Sequence, residues 1–488
     1  MYKFLKFTTI LSLTTLMMLS CDLDKTPYDS ITTENSWQTV SDAVKFENGI
    51  YSLFKGINGG NYIYIADYQS DLFNATISFG NRGGDVYSWN FSSSQYDIAD
   101  VWQGNYTCIN NCNNIITNID KITPSTDADK ATLTKIKGEA YLMRAICYHT
   151  LVTRFAKDYE PTSASTDLGL PLVLEFNVTA KPSRSTLSET YNQIKSDIAD
   201  ARKSLTVVGA ANANYLNVDV IDAFEARVDL YLHNYAEAMT LADKVIAKYP
   251  LISSVSDFKS MWLNDSGSEV LFQPYMSVDE RVNEMPYYLS YNTGSKAYAP
   301  DFVPSKWVLD LYDSNDIRKS AYFLNSKITC TDVSVTDVYM LYKFPGNPAL
   351  KTTVYQYYNM QKIFRSAESY LIAAEAAYRL GGKDDVALGY LNALKGKRSA
   401  PTLTNVTGTA LFAEIKNEWI REFVGEGQRL NDLKRWHDGL TRHDTQNSSI
   451  IMQGAIYNTL SVQSGNPKFV WEIPANDLSA NKNLQPNW

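Results

Sequence analysis

The most regularly spaced charges in the chain lie in EWIREFVGEGQRLNDLKRW, residues 418–436. Arg421, Glu422, Glu426, Arg429, Asp432 and Arg435 alternate in sign around two short helical turns, with Trp419, Phe423, Leu430, Leu433 and Trp436 as the apolar side. Facing solvent, such a ring of guanidinium and carboxylate groups could clamp an anion or a sugar. Facing inward, opposite charges three and four apart on a helix satisfy each other, and the stretch becomes a partly buried structural network. The structural reading is the expectation, with Arg429 paired to Glu426 or Asp432.

Catalytic patterns are missing. There is no HExxH, no GxSxG and no GxxxxGK(S/T). GEGQRL (425–430) begins like a dinucleotide loop but lacks the third glycine and a preceding strand. DSNDI (313–317) begins like a calcium loop and then places Ile317 where an oxygen ligand is needed. The four histidines, His149, His233, His437 and His443, are scattered. Carboxylate pairs can cleave glycosides, but among 53 acidic residues such pairs arise by chance. The expectation is a protein without catalytic residues, cofactor or metal.

Cys21 is the other reactive group with an informative setting. Lys3 and Lys6 are followed by an apolar stretch, Phe7 to Leu19, then Ser20 and Cys21. That stretch is too short for a bilayer span, which needs about 20 residues. The pattern is that of a secretory signal, and the small residue before the cysteine resembles the lipobox of a bacterial lipoprotein. Cys21 is then the lipid-carrying N-terminus and residues 1–20 the signal peptide. The alternative is an ordinary signal that ends near a cysteine. Cys108, Cys112, Cys147 and Cys330 read as buried thiols rather than a metal site.

Removing residues 1–20 takes away two lysines and no acid, so the net charge moves from −8 to −10. That balance argues against nucleic acid, whose phosphates attract basic patches. The 33 Tyr, 19 Phe and 9 Trp suit either helix packing or flat contact surfaces.

Helical periodicity dominates the remainder. Leu187, Tyr191, Ile194, Ile198, Ala201 and Leu205 form one apolar stripe, opened by a capping box of Thr186 and Glu189. Ile98, Trp102, Ile109, Cys112, Ile116 and Ile119 form a second, and Leu133, Ile136, Ala140, Met143, Cys147 and Leu151 a third. Residues 218–250 read as two helices joined at His233-Asn234, with Ala226, Tyr235, Ala238 and Pro250 where a tetratricopeptide repeat places small, aromatic and closing residues. Residues 369–398 repeat the plan around Gly381-Gly382. Pairs near 36–55 with 97–119, and 129–156 with 187–205, would complete a solenoid. The expected fold is mainly α: a tetratricopeptide-like helical solenoid with large irregular loop regions carrying a little β. The helical scaffold covers about 36–56, 97–156, 187–250 and 363–440 of one domain, 21–488. Two regions, about 57–96 and 251–362, keep no steady period. Long irregular segments inside a compact protein are usually functional loops.

Several segments in order resemble the SusD/RagB family of Bacteroidetes outer-membrane lipoproteins. They are CDLDKTP after the signal, VWQGNYTCINNCNNII (101–116), IKGEAYLMRAICYHTLVTRF (136–155), RSTLSETYNQIKSDI (184–198), AESYLIAAEAAYRLG (367–381), REFVGEGQRLNDLKRW (421–436) and WEIPANDLSANKNLQPNW (471–488). AKDYEP before DLGLPLV, and the QPNW ending, depart from the common pattern. The resemblance implies a SusD-like surface protein, lipid-anchored at Cys21 on the outside of the outer membrane. It would capture oligosaccharides and deliver them to a SusC-like TonB-dependent transporter. Oligopeptides are the alternative ligand, as in the RagB branch, and a surface glycoside hydrolase is a second alternative.

Solenoid helices use their aromatics for packing, so the ligand site is expected in the two irregular regions. FGNRGGDVYSWN (79–90) supplies Asn81, Arg82, Asp85, Tyr87, Trp89 and Asn90, and PYYLSYNTGSKAY (286–298) supplies Tyr287, Tyr288, Tyr291 and Tyr298. Trp89 is read either as a stacking platform, with Asn81 or Arg82 as its polar partner, or as a plug between loop and solenoid.

Overall fold

A computed structural model describes residues 36–177, 179–282, 284–353 and 356–488. The signal peptide, Cys21 and the Asp22 and Asp24 beside it lie outside the described residues. The principal helices are α1 (Val40–Ile57), α2 (Asn61–Gln69), α3 (Tyr96–Asn118), α4 (Asp127–Phe155), α5 (Leu187–Ser204), α6 (Val218–Tyr231), α7 (Tyr235–Lys248), α8 (Val255–Leu263), α9 (Ser366–Leu380), α10 (Asp384–Lys397), α11 (Gly408–Phe423) and α12 (Arg429–Arg435). The fold is mainly α and tetratricopeptide-like.

Helix starts follow local chemistry. Thr186 Oγ1 accepts from the Glu189 amide at 3.1 Å, and Glu189 Oε2 accepts from the Thr186 amide at 2.8 Å. The same reciprocal box, with aspartate in place of glutamate, opens α1 at Thr39 and Asp42 and α4 at Thr126 and Asp129. Each satisfies two amides that the first helical turn leaves without partners.

The predicted stripes face inward. All six residues of the α5 stripe are buried, as are all six of the α4 stripe. Helix α1 packs on α3, α4 on α5, α6 on α7 and α9 on α10. The repeats pack through alanines: Ala226 and Ala238 in one pair, and Ala374, Ala377 and Ala387 in the other, are fully buried in one shared cluster. Side chains this small let helix axes approach closely. Gly381 and Gly382 turn α9 into α10 at φ 74° and 64°, where a side chain would be strained. Cys108, Cys112, Cys147 and Cys330 are free and buried.

The aperiodic regions hold more order than their composition suggests. Residues 57–96 contain α2 and the strand Phe73–Ala75. That strand pairs antiparallel with Phe302–Pro304, Asn74 opposite Val303. This pairing joins the first irregular region to the second. The second also carries the hairpin Phe323–Cys330 with Val333–Leu341, the core of a four-stranded sheet.

Candidate ligand-binding surface

The junction of the two irregular regions positions Arg82. The Thr76 amide donates to the Asp301 carbonyl at 2.9 Å, one step beyond the paired strands. Asp301 is thereby set below the loop that carries Arg82. Arg82 Nε and Nη2 donate to Asp301 Oδ2 at 3.1 and 2.5 Å. Partial burial pulls the Arg82 pKa down, but its bond to Asp301 outweighs this and the net shift is upward. Burial raises the Asp301 carboxyl against the opposing pull of Arg82.

The Arg82 guanidinium lies over the Tyr287 ring, 4.6 Å from its centroid. Tyr287 meets the Tyr64 ring edge-on at 5.0 Å, and Tyr64 is tilted against Tyr68 at the same distance. Burial, and then the neighbouring Tyr287 phenol, push the Tyr64 hydroxyl well above its ordinary pKa. Asn61 Nδ2 donates to the Asp97 carbonyl at 3.3 Å, which ties the start of α2 to the start of α3. Tyr96 heads α3 with 62% of its surface exposed. Its phenol is raised first by Asp97, then by burial and by Tyr287. Burial raises the Asp97 carboxyl itself to about 6.

The result is a surface of tyrosine rings with one half-exposed guanidinium. Aromatic faces stack on sugar rings, and arginine donates in a fixed fork to hydroxyls or carboxylates. A cation held over an aromatic face in partly desolvated surroundings is attracted to it by roughly 0.5–2 kcal/mol.

The residues nominated from sequence divide four ways. Arg82 and Tyr287 meet, as the joining of the two regions requires. Asn81, Asp85 and Asn90 are exposed on the same loop as Arg82. Tyr87, Trp89 and Tyr288 are core residues. The Tyr87 hydroxyl accepts from the Ala75 amide at 3.2 Å, and Arg442 covers its ring at 3.7 Å. Trp89 is 7% exposed, donates from Nε1 to the Gln69 carbonyl at 2.9 Å and meets Phe469 edge-on. It plugs the space between loop and solenoid, so the stacking-platform reading gives way to packing. Tyr288 is sealed between Phe73 and Tyr68. Tyr291 belongs to another surface group: it is exposed on a short hairpin beside Tyr298, and its amide donates to the Tyr357 hydroxyl at 2.8 Å.

Two family models match separate parts of the chain. One described as SusD family matches residues 269–488, and one described as starch-binding, associating with outer membrane, matches residues 23–210. The chain belongs to the SusD family. Among its relatives, a SusD-like protein of Formosa agariphila is 23% identical over 534 aligned residues, covering 100% of this chain and 99% of its own. The starch-binding protein SusD of Bacteroides thetaiotaomicron is 35% identical over 125 residues, 26% of this chain and 20% of its own. Among solved structures, a SusD superfamily protein of Bacteroides thetaiotaomicron superposes with a TM-score of 0.80 at 28% identity, covering 92% of this chain and 100% of that one. A sugar-binding protein of Bacteroides vulgatus, so described provisionally, gives 0.77 at 25% identity over 93% and 99%. SusD-family membership carries association with the outer membrane.

In this SusD-family chain the charged C-terminal stretch is structural, but its pairing is not the helical one expected. Glu422 accepts from Arg365 at 2.7 Å, from Arg398 at 3.0 Å and from Arg318 at 3.1 Å. Burial alone would raise its pKa, but Arg398, Arg365 and Arg318 hold it well below the carboxylate range. Glu426 bonds Lys343 and Arg365. Arg429 pairs with Asp71 rather than Glu426 or Asp432. Only Arg421 with Glu418, and Arg435 with Asp432, keep the expected three-residue spacing.

Sequence reasoning missed Tyr64, Tyr96 and Asp301. Tyr64 sits in NYIYIADYQ, where it shares a helical face with Tyr68 alone, too short a stripe to read.

Proposed function

We propose that this chain is a surface lipoprotein, anchored through Cys21 and facing outside. It captures oligosaccharides at the surface formed by Tyr64, Arg82, Tyr96 and Tyr287 and passes them to a SusC-like TonB-dependent transporter. The observation that carries the binding role is the cluster of half-buried Tyr64 and Tyr287 under the half-exposed Arg82 guanidinium, beside exposed Tyr96. The starch-binding and sugar-binding names of relatives support a glycan as the ligand. The role is capture, with the ligand released uncut.

Calorimetry with a panel of malto-oligosaccharides, other glycans and short peptides tests this reading. A glycan should bind, and Tyr96→Ala and Tyr287→Ala should each weaken it by roughly tenfold or more, the size of an aromatic anchor's loss. Unchanged affinity in both variants removes this surface from the binding role. A peptide hit without a glycan hit replaces the sugar reading. Mass spectrometry should return every ligand intact. Cys21→Ala should abolish fatty-acid labelling and release the protein from the membrane, and retained labelling would sink the anchor.

A further inference from the structure

Two histidines that the chain scatters far apart border one pair of carboxylates. His233 lies in the turn between α6 and α7, and His437 follows α12. Asp158 and Glu160 come from the segment after α4. One ligand atom each from Asp158, Glu160 and His233 lie within 4.8 Å of one another. His437 Nε2 is 3.0 Å from Glu160 Oε1. The His233 ring is set in place, stacked on Tyr235 at 5.5 Å and edge-on to Tyr159 at 6.4 Å.

Asp158 Oδ2 is buried and accepts no hydrogen bond from the protein. A desolvated carboxylate oxygen without a donor is costly, so something must meet it. The neighbouring cations are committed elsewhere. Lys434 Nζ donates to the Thr153 and Ala156 carbonyls at 2.5 and 2.7 Å. Arg435 is held by Glu375 and Asp432, and Lys157 bonds Asp167 at 2.7 Å.

We propose that Asp158, Glu160, His233 and His437 form a binding site for a zinc-class divalent ion. The donor set fits: neutral imidazole suits zinc, and two carboxylates balance its charge. A tetrahedral zinc with bonds of about 2.1 Å brings its ligand atoms to about 3.4 Å from one another. The side chains that must close in are the exposed ones, Glu160 at 42% and His437 at 63%, which at present bond each other. The ion would tie the segment after α4, the α6–α7 turn and the segment after α12 into one clamp. This site does not depend on the glycan reading.

The test uses the full folded protein, stripped with chelator and titrated with zinc chloride by calorimetry. Alongside it, cobalt chloride is followed by visible absorption. The expected result is one ion per chain, four-coordinate cobalt bands and a melting temperature that rises with zinc. Asp158→Asn and His233→Asn should each weaken zinc by about tenfold or more and remove the thermal shift. Asparagine is chosen at 233 because it tolerates the positive φ of 62° found there. Melting without metal shows whether each variant is folded. Absence of zinc binding by the wild-type protein overturns the proposal. So does binding of equal strength in folded Asp158→Asn and His233→Asn, which would place the ion on other surface carboxylates.

Discussion

Arg429 on α12 grips Asp71, just beyond α2, through two hydrogen bonds, Nε to Oδ1 at 2.9 Å and Nη2 to Oδ2 at 2.8 Å. The partners are 358 residues apart in sequence, and both side chains are largely buried. The bond fastens the C-terminal helices to the base of the candidate ligand surface. Arg429→Ala leaves Asp71 as a buried carboxylate without its cation, and should cost about 3–5 kcal/mol. Urea unfolding checks this. Burial raises the Asp71 carboxyl, but Arg429 overrides it and holds the pKa below the ordinary value. A depressed carboxyl contributes stability above its unfolded pKa and loses it as pH falls through the folded one. Melting temperature should therefore drop on acidification in the wild type, and less steeply in Arg429→Ala.

Glu139 has the opposite sign. It is fully buried in α4, and neither carboxylate oxygen accepts a hydrogen bond. Burial, then the charge of Glu47, push its pKa well up, against Lys135 at 3.7 Å. A carboxyl with a raised folded pKa contributes fully below its unfolded value, about 4.3, and loses that contribution as pH rises through the folded one. Glu139→Gln should raise the melting temperature at neutral and alkaline pH and flatten its fall with rising pH. A variant less stable than wild type at pH 8 would contradict this.

Trp89 and Tyr96 should separate packing from binding. Trp89→Ala removes a ring from the core and should cost about 3–5 kcal/mol, while glycan affinity per folded molecule holds. Tyr96→Ala should leave the melting temperature nearly unchanged. Paired thermal and calorimetric measurements on both variants decide it.

Gly425 sits at φ 79°, and a Cβ there would lie 2.4 Å from Leu341 Cδ2. Gly425→Ala combines backbone strain with a clash and should destabilise by more than about 1 kcal/mol. Leu341→Ala in the same chain should recover part of the clash and none of the strain, which a double-mutant cycle measures.

The sequence by itself determined the helical scaffold. Stripes such as Leu187 to Leu205, the Thr186–Glu189 box, the small residues at 226, 238, 374 and 377, and the Gly381-Gly382 turn are local signals. Their physics acts within a turn or two of helix, so spacing alone reveals them. Tertiary structure alone decided what faces what. Tyr87, Trp89 and Tyr288 carry the same composition signal as Tyr287, yet three are packed inward and one meets Arg82. That difference comes from the pairing of Phe73–Ala75 with Phe302–Pro304, a long-range contact no local window contains. Arg429 found Asp71 rather than its helical neighbours because Asp432 is held by Arg435 and Glu426 by Lys343 and Arg365, while Asp71 offers both oxygens in a desolvated pocket. His233 and His437 meet Asp158 and Glu160 for a related reason. Solenoid packing sets the turn after α6 and the end of α12 against the segment leaving α4, whatever their distance along the chain.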